Sequence, residues 1–392
     1  MSSDQASVSS PARPGRADGA ERPFRFYDNR QTYLMFVNTC NEKWVVAERI
    51  GKELKSLKPA PPALRVFDGG TGDGTILATV MRGLHRRFPN VPLCVVAKEI
   101  SLEDVRLCLE KMPDRLAEHP ASVVVLTNLY YGEAPKLMPS NVRTAAALNW
   151  HEIALTGDSA YDYDEQIKAL GPLIADSWQV TASRKTGNPL YVRPSVLVLY
   201  RKDQAFLLDS VIPRPGAMQG LYDLIIASQP YRARTSAALK VRKVLAPLAS
   251  ALGPSGRMLV IQSHGRDPGM EIVNKVWPEE DPFQSDRHAL LKTLKQELSP
   301  TARDLAFNAP PDERSLFQYR MHSLPSDFGE SIGTSALFAA WNAAVYVAQI
   351  EGERLSEAMK SCDYLAAAEE VLHKHGGLWF WDESFVITRR GR

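Results

Sequence analysis

The residues best placed to do chemistry lie in Val66-Phe67-Asp68-Gly69-Gly70-Thr71-Gly72-Asp73-Gly74. An apolar run ends in an acid, glycines follow at alternate positions, and a helical pattern begins near Thr75. Glycine suits such a turn because the backbone must pass close to a ligand and take positive φ. Residues 70, 72 and 74 read G-x-G-x-G with Asp68 two positions ahead, and no clean G-x-G-x-x-G starts at Gly69 or Gly70. The turn offers backbone donors and a carboxylate to a small ligand, physics it shares with dinucleotide sites. Metal chemistry has little support. His373-Lys374-His375 spaces two rings at i, i+2, which splay apart on a helix, and Cys40, Cys94, Cys108 and Cys362 form no CxxC pair.

The D-x-G-x-G-x-G pattern resembles the class I S-adenosylmethionine-dependent methyltransferases. The resemblance implies S-adenosylmethionine as cofactor, with Asp68, Gly70, Thr71, Gly72 and Gly74 around its amino-acid part. It implies that Glu99, closing Val95-Val96-Ala97-Lys98-Glu99, binds the ribose hydroxyls, since a carboxylate accepts two hydrogen bonds from a vicinal diol. Asn128 then stands near the adenine. Tyr222-Asp223-Leu224-Ile225-Ile226-Ala227-Ser228 fits the fourth strand of the family, with Ser228 beside the reacting methyl.

A finer resemblance is to histamine N-methyltransferase and its relatives. It is carried by 26–42 with Tyr33 and Asn38-x-x-x-Glu42, by 223–231 with Gln229, by 258–283, and by Ser384-Phe385-Val386-Ile387. It implies that Glu42 and Gln229 face the acceptor and that Tyr33 and Phe36 close over the cofactor. That group's C-terminal asparagine is absent, Phe380-Trp381-Asp382 standing in its place, so amine specificity does not carry over. Ser228-Gln229-Pro230-Tyr231 is also similar to the Asn/Asp/Ser-Pro-Pro-Tyr/Phe loop of amino-methyltransferases, although Gln229 replaces the first proline. Tyr231 reads more simply as a wall of the acceptor site. If the acceptor must lose a proton, His264 beyond the fifth strand is the first base by location, with Glu42 and His322 behind it. The implied reaction moves a methyl group to a nitrogen or oxygen of a small molecule. Alternatives are a protein or nucleic-acid acceptor, a non-catalytic module of the same fold, and an NAD-dependent oxidoreductase. The last lacks a Tyr-x-x-x-Lys pair.

The elements that must position these residues are legible in outline. Residues 1–23 read as a disordered tail rich in Ser, Pro, Arg and Gly, and order starts at 24–27. Apolar residues at helical spacing over 30–57 predict a helical cover (24–60), with Asn41 capping its second helix. The segment 61–131 alternates strands (64–67, 91–97, 122–126) with helices (75–87, 102–116), the rhythm of a parallel Rossmann-like α/β sheet. Residues 132–220 read as an insertion holding a hairpin of 195–200 and 205–212. The remainder, 221–392, supplies strands at 221–227 and 257–262 and a helix at 235–252 kinked at Pro247. A substrate-covering segment (265–376) and a C-terminal antiparallel strand at 383–388 follow. Arg232, Arg234, Lys240, Arg242 and Lys243 make a basic face on the kinked helix, read as solvated.

Composition bounds the rest. The 392 residues are 44% hydrophobic and 23% charged, with a formal net charge of +2, so no global charge drives the chain toward nucleic acid or an anionic membrane. No apolar run reaches the ~18–20 residues of a membrane span. The four cysteines show no disulfide spacing and suit reduced, mostly buried thiols of a cytoplasmic protein. The insertion could equally serve as a protein-docking or homodimer surface.

Overall fold

The computed structural model describes residues 30–184, 188–299, 303–322, 332–361 and 363–391. The expected tail (1–23), the expected start of order (24–27) and Cys362 lie outside the described residues.

Twelve strands are present among them: β1 (Leu64–Asp68), β2 (Leu93–Lys98), β3 (Ser122–Thr127), β4 (Asn149–Leu155), β5 (Val180–Ala182), β6 (Pro189–Tyr191), β7 (Ser195–Arg201), β8 (Tyr222–Ser228), β9 (Leu252–Ser263), β10 (Leu305–Asn308), β11 (Leu316–Arg320) and β12 (Trp379–Arg389). Ten form one sheet in the order β10-β12-β9-β8-β1-β2-β3-β7-β4, with β11 paired to the first half of β12. The five central strands are parallel, whereas β7 runs antiparallel to β3 and β12 antiparallel to β9. The fold is therefore a Rossmann-like α/β sheet with an antiparallel strand near each end. From β1 the chain winds to β2 and β3 on one side, while β8 and β9 lie on the other. Such a reversal opens a crevice at the carboxyl ends of the strands, where open α/β sheets bind ligands.

Alternation along the buried strands explains how one sheet serves two cores. In β2, Cys94 and Val96 enter one core, while Leu93, Val95 and Ala97 enter the other. In β3, Val123 and Val125 go one way, and Val124 and Leu126 the other. Runs buried on both faces read as continuous apolar stretches, which is why these strands are visible in sequence. A third core joins the N-terminal helix Arg30–Thr39 to the helices Pro268–Val276, Thr334–Val347 and Asp363–His375 through Phe36, Trp341 and Phe380.

Several local expectations are corrected. Residues 205–212 form successive turns, so the hairpin of the insertion is β5–β6, and β7 instead joins the main sheet beside β3. Phe206 is 98% exposed, as an outward loop residue is. Strand β4 escapes sequence reading because its Asn-Trp-His-Glu composition is that of a half-covered edge. The helix expected over 102–116 is two, Leu102–Leu109 and Met112–Glu118, because Pro113 cannot donate within a continuing helix. Around Pro247 the helix widens into a π turn over Val241–Leu245, the local accommodation of a missing N–H. The C-terminal strand starts earlier than expected, at Trp379: β12 lies between β9 and β11, and Phe380 stacks on Tyr319 with ring centroids 5.2 Å apart. The basic helix face divides, since Arg242 and Lys243 are exposed while Lys240 is 2% exposed. Cys40, Cys94 and Cys108 are free, buried thiols.

Candidate functional site

Asp68, Glu99, Asn128, Ser228 and His264 all sit at or just past the carboxyl ends of parallel strands, along one edge of the sheet. Between β1 and the helix Thr75–Arg87, Gly70, Gly72 and Gly74 have φ of +150°, +53° and +76°. The last position is also tight. A Cβ on Gly74 would lie 2.7 Å from Cys108 Sγ and 2.8 Å from Cys108 Cα, so helix Leu102–Leu109 packs directly on the turn. Gly70 is different: an added Cβ would meet nothing closer than 3.7 Å, the Tyr131 hydroxyl, so space remains above it.

Three side chains fasten this turn. Glu99 Oε2 accepts from Gly72 N (2.9 Å), and its Oε1 accepts from Ile100 N (2.7 Å) and Ser101 N (2.9 Å). A carboxylate has about four lone-pair positions, so one on Oε2 is left for a ligand hydroxyl. Lys111 Nζ donates to Asp73 O at 2.7 Å, and Lys43 Nζ lies 2.7 Å from Asp73 Oδ1. Lys43 also donates to the Tyr33 hydroxyl at 2.9 Å, which holds the Tyr33 oxygen over Gly72. Burial and then the Asp73 charge push the Tyr33 phenol upward, so it stays protonated. Asp68 is 3% exposed, and burial raises its carboxyl to about 7. The Thr71 hydroxyl beside it is buried and has no partner in hydrogen-bonding geometry among the described residues. An open Gly70 and a spare Glu99 lone pair are what a small polar ligand would use here.

The second half of the crevice follows β8. Gln229 adopts φ +46°, donates from Nε2 to Ser263 Oγ (3.0 Å) and Asp382 Oδ1 (3.3 Å), and accepts from Ser263 N (3.2 Å). Asp382 is fully buried, and its Oδ2 has no hydrogen-bond partner among the described residues. Burial, then the Glu42 and Asp267 charges, hold the Asp382 carboxyl well above the usual range. Glu42 is raised to about 7 by burial, Lys43 pulling it down and Asp73 pushing it up. Tyr231 donates its hydroxyl to Gln262 Oε1 at 2.8 Å. Gln262 Nε2 in turn donates to Glu383 Oε1 (2.7 Å), and Arg287 pairs with Glu383 Oε2 at 3.2 Å.

Sequence-predicted residues thus fall into two groups. Tyr33, Gly70, Thr71, Gly72, Gly74 and Glu99 surround the turn, and Gln229 meets Asp382 beyond Ser228. Others are committed elsewhere. Asn128 spends its amide on Ser177 O (3.1 Å), Arg193 O (2.9 Å) and Ser195 N (2.8 Å), stapling the insertion to the sheet. Phe36 is 1% exposed and stacks on Tyr346, so it belongs to the third core. His264 has Glu383 Oε2 as its nearest acid at 3.9 Å, and His322 is exposed. Lys43 and Lys111 escape sequence reading, and Lys240 is read there as solvated, because a lysine's partner is set by other chain segments. Asp73, lying between the glycines, was the available signal for a paired cation. Among the described residues no group of three His, Cys, Asp or Glu is placed to hold a metal ion, and no helix is long and apolar enough to cross a membrane.

No family model and no curated protein matches the chain. Similar solved structures include a Galdieria sulphuraria protein provisionally assigned as a sarcosine dimethylglycine methyltransferase (10% identity, TM-score 0.35, 89% of this chain and 85% of that one). A geranyl diphosphate methyltransferase in complex with S-adenosylmethionine shares 11% identity at TM-score 0.31, over 88% of this chain and 85% of that one. PKMT2 from Rickettsia typhi shares 11% identity at TM-score 0.28, over 88% and 52% of the two chains.

Proposed function

We propose that the chain binds S-adenosylmethionine in the crevice between β1 and β8 and transfers its methyl group to a nitrogen or oxygen of a small molecule. The observation that carries this reading is the turn itself: three glycines at positive φ, tied to the end of β2 by Glu99, at the reversal point of the sheet. S-adenosylmethionine supplies an already activated methyl group, so the protein's part is position and electrostatics. Gly70 leaves the backbone accessible, and Glu99 offers its free Oε2 lone pair to a ribose hydroxyl while keeping Gly72 in place. Tyr33, pinned by Lys43, closes the crevice from the N-terminal helix and limits water access.

On the acceptor side, Gln229, Glu42 and Asp382 supply one amide and two carboxyls raised by burial. Such groups orient a nitrogen that carries hydrogens, and a carboxyl near 7 can take its proton before attack. This set supports nitrogen over oxygen as the methylated atom. The finer likeness to histamine N-methyltransferase rests on sequence motifs alone.

Calorimetric titration with S-adenosylmethionine, S-adenosylhomocysteine and NADH, on the wild type and on Glu99→Ala, tests the reading. The expected result is S-adenosylmethionine affinity that Glu99→Ala weakens about tenfold or more. Preference for NADH, or no binding of either adenosyl compound, overturns it.

A further inference from the structure

The segment 132–220 reaches the glycine turn through one buried indole. Trp178 follows the helix Gly171–Ser177, is 1% exposed, and donates its Nε1–H to Glu99 O at 2.8 Å. That carbonyl shares a planar peptide unit with the N–H of Ile100. The same N–H donates to Glu99 Oε1 at 2.7 Å, so the indole holds one end of a plane whose other end holds the carboxylate. Ser101 N donates to Oε1 as well, at 2.9 Å, and Oε2 is left to accept from Gly72 N at 2.9 Å. Trp178 is held in turn. The carbonyl just before it, Ser177 O, accepts from Asn128 Nδ2 at 3.1 Å and from Ser195 Oγ at 3.0 Å, both bonds buried. Thr127 Oγ1 donates to Ser195 O at 2.9 Å, which ties the end of β3 and the start of β7 into the same network.

We propose that Trp178 is a positioning residue for the cofactor's ribose, acting through Glu99, and that 132–220 is in this way a working part of the cofactor site. A carboxylate takes a ligand hydroxyl most tightly when its free lone pair is aimed before the ligand arrives. Three backbone donors aim Glu99, and two of them, Ile100 N and Ser101 N, lie in the stretch of chain that the indole anchors. Without the indole N–H, a buried carbonyl loses its donor and the peptide unit must turn to regain one. Ile100 N then leaves Oε1, Oε2 drifts from Gly72, and the carboxylate loses its aim. Asn128, expected beside the adenine, serves the same end by fastening the chain on which Trp178 stands. The bearing on ribose rests on the methyltransferase reading; the positioning of Glu99 does not.

Trp178→Phe removes the N–H donor while keeping an aromatic ring in the core. The first readout needs no ligand: hydrogen exchange of the Gly72 amide, followed by NMR. Gly72 sits on the turn after β1 and is joined to Trp178 through the Glu99 carboxylate. Its amide is expected to exchange about tenfold faster in the variant, with the amides of β8 unchanged. A purely structural role would speed exchange in the helix Gly171–Ser177 and leave Gly72 alone, a result that overturns the proposal. The second readout compares, by calorimetry, S-adenosylhomocysteine with its analogue lacking both ribose hydroxyls. Trp178→Phe is expected to bind the parent compound about tenfold more weakly than wild type and the analogue equally well. Equal losses for both ligands, or none for either, overturn it. If the wild type binds neither compound, the methyltransferase reading fails and the Gly72 amide alone decides the positioning of Glu99. Should Trp178→Phe not fold, Ser195→Ala removes one of the two donors to Ser177 O and is expected to speed Gly72 exchange about threefold. An unmoved Gly72 in that variant overturns the proposal as well.

Discussion

Lys43 and Asp73 meet at 2.7 Å across the entrance of the crevice, joining the N-terminal helices to the glycine turn. The same ammonium donates to Tyr33 at 2.9 Å, so one lysine fixes both the turn and its cover. Burial raises the Asp73 carboxyl, but the Lys43 charge and hydrogen bonds from Lys43 and Thr75 outweigh it and leave the group below its ordinary value. A depressed carboxyl contributes stability that is present above the unfolded pKa near 4 and lost as pH falls through the folded value. Lys43→Met should cost about 1–3 kcal/mol at neutral pH. It should also flatten the acid limb of the stability profile, because Asp73 is then no longer held below its unfolded pKa. Urea unfolding midpoints across pH read both effects, and an unchanged acid limb would show that the pair is decorative.

Gly74 cannot be replaced without strain. At φ +76°, an alanine would place its Cβ 2.7 Å from Cys108 Sγ and 2.8 Å from Cys108 Cα. Gly74→Ala should destabilise by about 1–3 kcal/mol, combining positive-φ strain with overpacking. Gly51 sits in the helix Glu42–Glu53 with nothing within 4 Å of an added Cβ, so Gly51→Ala should be neutral or stabilising by up to about 1 kcal/mol. Chemical denaturation of the two variants separates backbone strain from a general effect of removing glycine.

Asp68 should make the protein less stable as pH rises through neutrality. Its folded carboxyl is raised to about 7, chiefly by burial. A raised carboxyl contributes stability that is complete below the unfolded pKa near 4 and is lost as pH climbs through the folded value. Glu42, also near 7, has the same sign. Asp68→Asn removes one titration, so its stability should fall less between about pH 4 and pH 7 than the wild type's, by a few kcal/mol. Parallel urea midpoints for the two proteins over that range would contradict the assignment.

Arg287 and Glu383 form a pair with side chains 4% and 1% exposed. Removing the cation leaves a buried carboxylate supported by Gln262, the more distant His264 and the Lys240 charge. Arg287→Met should therefore destabilise by about 3–5 kcal/mol. Glu383→Gln in the same chain should restore most of that loss, because the neutral amide no longer needs a countercharge. Thermal and urea unfolding of the single and double variants give the coupling. Additive effects would show that the charge pair is not the reason for the loss.

What the sequence determined by itself are the features whose cause is local. The strands β1, β2, β3, β8 and β9 show as apolar runs because both their faces are buried, whatever they pack against. The alternating glycines announced a turn because their conformational freedom is a property of the residue type. Tertiary structure decided everything that depends on which distant segment arrives. Strand β7 was legible as a strand, yet nothing in Ser195–Arg201 states that its partners are β3 and β4 rather than 205–212. Asp382 could be read only as the residue standing where an asparagine was absent, and its meeting with Gln229 requires β12 to lie beside β9. Lys240 reads as one solvated base among five, but packing buries it against Tyr231. Hydrophobic period and backbone freedom are encoded residue by residue, whereas a charge takes its meaning from neighbours on other elements that only the fold brings to it.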